Sequence, residues 1–213
     1  MQDDLPAPAQ LPPSAPREPL HVRQIRCEGF RRGDGLFDVE AHLLDTRPAA
    51  ADRYGYGNGN GQADRIVHDM WLRLTVGLDF TIRNVEAAMP GTPFDVCPHV
   101  LEAFKTLVGV TIGKGWRREV DARVGGVLGC THLRELLAPM ATVCYQTMGV
   151  WKKNQGTPAS APASRPHFLD GCKTWATDGE VVARLYPQFS TARQDADAQP
   201  SAASDPARRR RPR

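Results

Sequence analysis

The sequence predicts an α+β fold, an antiparallel sheet of two β-hairpins with three to four helices on one face. Up to about residue 89, apolar residues recur with a period of two, and beyond it with a period near 3.6. The strand-like runs also come in pairs joined by short glycine-containing turns, and strands followed by helices is the α+β order. The 19 glycines and 18 prolines of the 213 residues lie mostly in polar stretches, which leaves roughly one ordinary domain's worth of chain to fold.

Residues 1–19 carry Pro6, Pro8, Pro12, Pro13, Pro16 and Pro19 among Ala and Gln, too little apolar surface to offset the entropy of ordering, and read as a disordered arm. A core domain is expected over 20–150. It opens with IRCEGFRR, turns at Gly33-Asp34-Gly35, and returns through Phe37, Val39, Ala41 and Leu43, which alternate with Asp38, Glu40 and His42. The glycines of YGYGNGNGQ, 54–62, read as a loop between hairpins.

In the second hairpin, Met70, Leu72, Leu74 and Val76 share a face. Gly77-Leu78-Asp79 turns, and Phe80 and Ile82 resume the apolar side before the phase shifts to Val85 and Ala87, which predicts a bulge near Arg83-Asn84. Val100, Leu101, Phe104, Leu107 and Val108 are then spaced for one helical face, with Pro98 at the first helical position and Cys97 as N-cap. Trp116, Val120 and Val124 mark a second helix over 116–124. Leu133, Leu136, Leu137, Met140, Cys144 and Met148 mark a third from about Thr131, bent at Pro139. A linker at 151–166, a helical segment at 167–189 packing on the core (its helix Asp178 to Tyr186), and a disordered tail at 190–213 complete the chain.

The formal charge is +3, but five of the 27 basic residues are Arg208–Arg211 and Arg213; without them 22 basic residues face 24 acidic ones. A broad nucleic-acid face is thereby not indicated, and the arginine tail offers only weak, salt-sensitive attraction. No run of 18 apolar residues and no basic, apolar leader occurs, so no membrane span is expected and the cytoplasm is the expected compartment. Cys27, Cys97, Cys130, Cys144 and Cys172, odd in number and widely spaced, read as free thiols or metal ligands.

Cys97 and Cys130 each fall at an expected helix start, where backbone N–H groups and the helix dipole favour thiolate. His132 follows in GCTHL, and His68-Asp69 open the strand HDMWLRLTV. Two thiols, one or two imidazoles and a carboxylate converging at one end of the sheet suit zinc, iron or an iron–sulfur cluster. The alternative is a Cys/His enzyme in which a Cys130 thiolate, assisted by His132 or His68, acts on an acyl, thioester or carbonyl substrate; a further one is a protein-interaction module without chemistry. Cys27 and Cys144 read as core residues, and Cys172 as a weak further ligand. Asp34, Asp38, Glu40 and Asp45 read as a solvent-facing strand edge able to hold a hard cation, and Arg117, Arg118, Arg123 and Arg134 as a solvated helix face or the lining of an anionic pocket.

The strings HDMWLRLTVGLDFTIRNVEAAMPGTPFDVCPHVLEAF and GWRREVDARVGGVLGCTHLRELLAPMATVCYQT resemble a bacterial family known as domain of unknown function 2889, over about residues 20–187. More distantly, a ligand-bearing turn, a cysteine before a helix and a later cysteine heading a long helix are similar to the U-type iron–sulfur scaffold proteins, which hold a cluster with three cysteines and an aspartate. That likeness implies Cys97 as the middle cysteine and Cys130 as the last, with His68-Asp69 in place of the first cysteine and the aspartate. The expectation is a metal-binding, scaffold-like accessory protein working with a partner protein.

Overall fold

The computed structural model describes residues 11–48, 65–154, 165–166 and 168–192. The chain divides into two compact units, Met1–Lys152 and Lys153–Arg213. In the first, β1 (Val22–Arg31), β2 (Phe37–Arg47), β3 (Arg65–Val76) and β4 (Ile82–Gly91) form one antiparallel sheet in sequence order. The fold is α+β. After the sheet come a 3₁₀ turn at Cys97–Val100, the short α1 (Leu101–Phe104), a second 3₁₀ turn at Lys105–Leu107, α2 (Trp116–Val124) and α3 (Thr131–Asn154).

Strand alternation decides what is buried. Phe37, Val39, Ala41 and Leu43 of β2 and Met70, Leu72, Leu74 and Val76 of β3 all lie inside, while the residues between them face outward. Against that face pack Trp116, Val120 and Val124 of α2 and the whole expected stripe of α3, from Leu133 to Met148. Each buried Val, Leu, Met or Phe among them stabilises by about 1.5–3 kcal/mol relative to exposure, which is why the pattern is legible in the sequence.

Two register shifts matter. Val76 pairs with Ile82 and Thr75 with Asn84, so Arg83 is the bulged residue, where the phase change placed it. Asp45 pairs with His68 but Thr46 pairs with Ile66, so Val67 is an extra residue on β3. This second bulge resets the alternation and lets Arg65 and His68, three apart, serve the same side of the sheet.

Several local expectations are corrected. Cys97 is not an N-cap: Val96 holds that position without a side-chain bond, and the Cys97 N–H donates to the Phe94 carbonyl at 3.1 Å. Phe80 lies in the turn with φ +62°, its ring 4.5 Å from Tyr145, and the strand resumes only at Ile82. Val108 is exposed, because the chain leaves the helix there with ψ 133°.

The second unit contains a 3₁₀ turn at Lys173–Trp175, α4 (Glu180–Leu185) and a 3₁₀ turn at Pro187–Phe189. The rings of Phe168, Trp175 and Tyr186 cluster with centroids 4.7–6.0 Å apart. The expected helix over 178–186 is shorter, starting after Gly179 without a side-chain cap, and Leu185 is exposed. Residues 11–19 are exposed and have no helix or strand. The start of the Pro-rich arm, the 54–62 loop, most of the linker and the arginine tail lie outside the described residues. Among the described residues no helix is long and apolar enough to cross a membrane.

Candidate functional site

The apolar face of β2 runs through positions 37, 39, 41 and 43, and the next residue of that parity is Asp45, which is fully buried. A buried carboxylate needs partners, and the flanking strands supply them. Arg23, opposite it on β1, donates twice, Nε to Oδ1 and Nη2 to Oδ2, both at 2.7 Å. His68, opposite on β3, meets Oδ2 through Nδ1 at 2.8 Å, and His21 Nε2 stands 3.3 Å from Oδ1. Burial pushes the Asp45 carboxyl up, but the Arg23 and His68 hydrogen bonds outweigh it and hold the group well below the usual carboxylate range. The remaining Arg23 nitrogen, Nη1, reaches Glu135 of α3 at 2.6 Å.

The first turn of α3 brings the second imidazole. The rings of His68 and His132 are 3.9 Å apart at 35°, and Cys130 Sγ lies 3.8 Å from His132 Nδ1. Burial, then the neighbouring His68 and Arg23 charges, press the His132 pKa below that of a free histidine, against the opposing pull of Asp45 and Glu135. The neutral form, with a lone pair available to a metal or a proton, is therefore favoured. Asp45, His68 and His132 each place one ligand atom within 4.8 Å of the others. Beside them opens a cleft of about 1080 Å³ whose lining includes His68, His132, Cys97, Cys130, Arg47 and Arg65.

Four of the expected site residues, His68, Cys97, Cys130 and His132, thus line one cleft; Asp69 does not join them. Consecutive strand residues point to opposite faces, so Asp69 lies on the outer side of the sheet. There its Oδ1 accepts from Trp71 Nε1 at 3.1 Å and meets His42 Nε2 at 2.8 Å, with the His42 and Trp71 rings stacked 3.9 Å apart. Its acidity groups Asp45 with the outer acids Asp34, Asp38 and Glu40, yet it belongs to the inner parity, the one signal that separates it from them. Asp34 and Asp38 hydrogen-bond to Arg32, and Glu40 to Arg73. Arg23, 112 residues from Glu135, left no local signal.

Of the other thiols, Cys144 is buried on α3, where desolvation pushes it up to about 11; burial also raises Cys27, and Cys172 is exposed in the second unit. All five are free. Arg123 donates to the Thr106 carbonyl at 3.0 Å and Arg134 Nε to Asp121 at 2.9 Å, as members of an ion-paired helix surface.

A family model described as a protein of unknown function, DUF2889, matches residues 21–146, from the first strand into α3, and holds every residue of the cleft cluster. The match ends short of the 187 expected from the resemblance. No curated protein and no solved structure matches the chain. The likeness to U-type iron–sulfur scaffolds therefore rests on residue pattern alone, and the Asp69 that it carries over stands across the sheet from His68.

Proposed function

The chain belongs to the DUF2889 family, and from the chemistry of its cleft we propose that it is a metal-binding protein, holding zinc or iron through the His68 and His132 imidazoles with Cys130 beside them. The observation that carries this is the convergence of Asp45, His68 and His132 within 4.8 Å of one another, with both imidazoles on the wall of an open cleft. The donor set fits an ion in a specific way. Both Asp45 oxygens are engaged by Arg23, so the carboxylate suits the outer shell: it takes the Nδ1 proton of His68 in a hydrogen bond and leaves the Nε2 lone pair for a metal. Two imidazoles and a cysteine sulfur resemble the ligand sets of zinc and iron sites that keep a position open for water or a ligand. Such an ion, when bound, supplies Lewis acidity at the cleft; the chain's own groups orient it and hold the proton on His68 Nδ1. An accessory role alongside a partner protein, in the reducing cytoplasm to which five free cysteines are suited, completes the reading.

A second reading has its own observation, the 3.8 Å approach of Cys130 Sγ to His132 Nδ1, which is the pairing of a thiol nucleophile with its base. Elemental analysis of protein purified without oxygen separates the two. The metal reading expects near-stoichiometric zinc or iron, lost in His68→Gln and in His132→Gln. Metal-free protein whose Cys130 is alkylated rapidly only while His132 is present would put the thiol enzyme in its place.

A further inference from the structure

On the side of the sheet away from the helices, two cross-strand rows lie next to each other: His42, Trp71 and Ala88 in one, Glu40, Arg73 and Glu86 in the other. They are two residues apart along each strand, about 6.6 Å. Trp71 is fixed from two directions. Its Nε1 donates to Asp69 Oδ1, which also meets His42 Nε2, and the His42 ring stacks on one face of the indole with 9° between the planes. The other face looks toward Ala88 of the edge strand β4, where a methyl group leaves a notch of about 410 Å³, within the range of small-ligand sites. Trp71 is 42% exposed, so a flat apolar surface already held in place is offered to solvent. At the far end of the notch Arg73 spans both glutamates, Nε to Glu40 Oε1 at 2.7 Å and Nη1 to Glu86 Oε2 at 3.0 Å. Those bonds use one oxygen of each carboxylate and leave the other to accept from a ligand.

From this arrangement we propose that the outer face of the sheet binds a neutral sugar ring of an oligosaccharide, its C–H face stacked on the free side of Trp71 over Ala88 and its hydroxyls on the Glu40, Arg73 and Glu86 row. A pyranose has a flat apolar face and a rim of hydroxyls that each donate and accept, which matches an indole beside alternating carboxylate and guanidinium. The hydroxyls donate to the second carboxylate oxygens without breaking the ion pairs. Charge selects against the other flat ligands: two carboxylates flank Arg73, so no positive field awaits a phosphate, and the guanidinium next to the indole repels a stacked cation. Because β4 is the last strand of the sheet, the notch opens sideways and further sugar units can run past it. The site lies across the sheet from His68 and does not depend on the metal reading.

The test is a titration of the full chain with cellohexaose, maltohexaose and the hexamer of N-acetylglucosamine, alongside adenosine and choline, followed by calorimetry and by the indole N–H resonances of the four tryptophans. At least one hexasaccharide is expected to bind and to move the Trp71 resonance, assigned by its absence in Trp71→Phe. Adenosine and choline should bind at least about 10-fold more weakly than that sugar. Trp71→Ala should weaken the sugar about 10-fold or more, and Trp71→Phe, which keeps a smaller ring, should fall between. Ala88→Leu, at an exposed position, fills the notch and should also weaken binding about 10-fold; it carries the test if Trp71→Ala does not fold. Binding of none of the three sugars, adenosine or choline binding as tightly, or sugar affinity unchanged by the Trp71 and Ala88 substitutions overturns the proposal. Chelator treatment and His68→Gln should leave sugar affinity within about 2-fold, so loss of metal and loss of sugar binding are read separately.

Discussion

Replacing Asp45 by asparagine tests the centre of the site without changing its shape. The carboxylate receives three charge-assisted hydrogen bonds of 2.7–2.8 Å, two from Arg23 and one from His68. At about 1.5–3 kcal/mol each their gross worth is large, but Arg23 is 32% exposed and keeps Glu135, so it rehydrates on losing its partner, and the amide still accepts one bond. A net loss of about 2–4 kcal/mol is expected, several times what an exposed ion pair contributes. Urea unfolding of chelator-treated protein should show a lower midpoint with an unchanged slope. The sign with pH follows from the direction of the shift. Asp45 is more acidic folded than unfolded, so its contribution is complete above the unfolded value of about 4 and disappears as pH falls through the lower folded value. The gap between wild type and variant should therefore be level from pH 7 to about 5 and close below about pH 4. A gap under about 0.5 kcal/mol at pH 7, or one that widens on acidification, would refute the reasoning.

Asp69→Asn should leave metal content at the wild-type level while His68→Gln abolishes it, since the neighbouring residues face opposite sides of the sheet; equal losses in the two would contradict the face assignment. Cys130→Ser should lower metal occupancy, whereas Cys144→Ser should keep the metal and lose roughly 1–3 kcal/mol in denaturant melts, because it places a hydroxyl in the core. At pH 8 the Cys144 thiol, pushed up to about 11, should react with iodoacetamide far more slowly than exposed Cys172; comparable rates by peptide mass mapping would show that Cys144 is not enclosed. A Cβ on Gly29 would meet Thr147 Oγ1 at 1.8 Å, so Gly29→Ala should cost about 1–3 kcal/mol and Thr147→Ala should restore part of it; an additive pair would place the strain elsewhere.

How far the sequence could be read depended on whether the deciding interaction was periodic. Trp116, Val120 and Val124, or the stripe from Leu133 to Met148, announce themselves because burial repeats along the chain, and the Arg83 bulge shows as a slip in that repeat. Cys97 misled because a 3₁₀ turn precedes α1, and a proline at the first helical position looks alike for both. His68 and Asp69 look like a pair because they are adjacent, although adjacency in a strand means opposite faces of the sheet. Asp45 was legible by its parity with Leu43, but its acidity suggested solvent. The bonds that explain it, from Arg23 and His68, come from strands whose register no local pattern reveals.

Arg23 joins β1 to Asp45 on the neighbouring strand and to Glu135 on α3, spanning 22 and 112 residues with one side chain. A cleft assembled by such long-range closure forms only after α3 has docked on the sheet, so the histidine cluster is a product of the folded first unit rather than a local motif that precedes it. A ligand that bound the cleft would draw the equilibrium toward the folded chain, by an amount that grows with the logarithm of its concentration over its dissociation constant. The amides of β1 and of the first turns of α3, far apart in sequence, should slow together in hydrogen exchange when the site is filled.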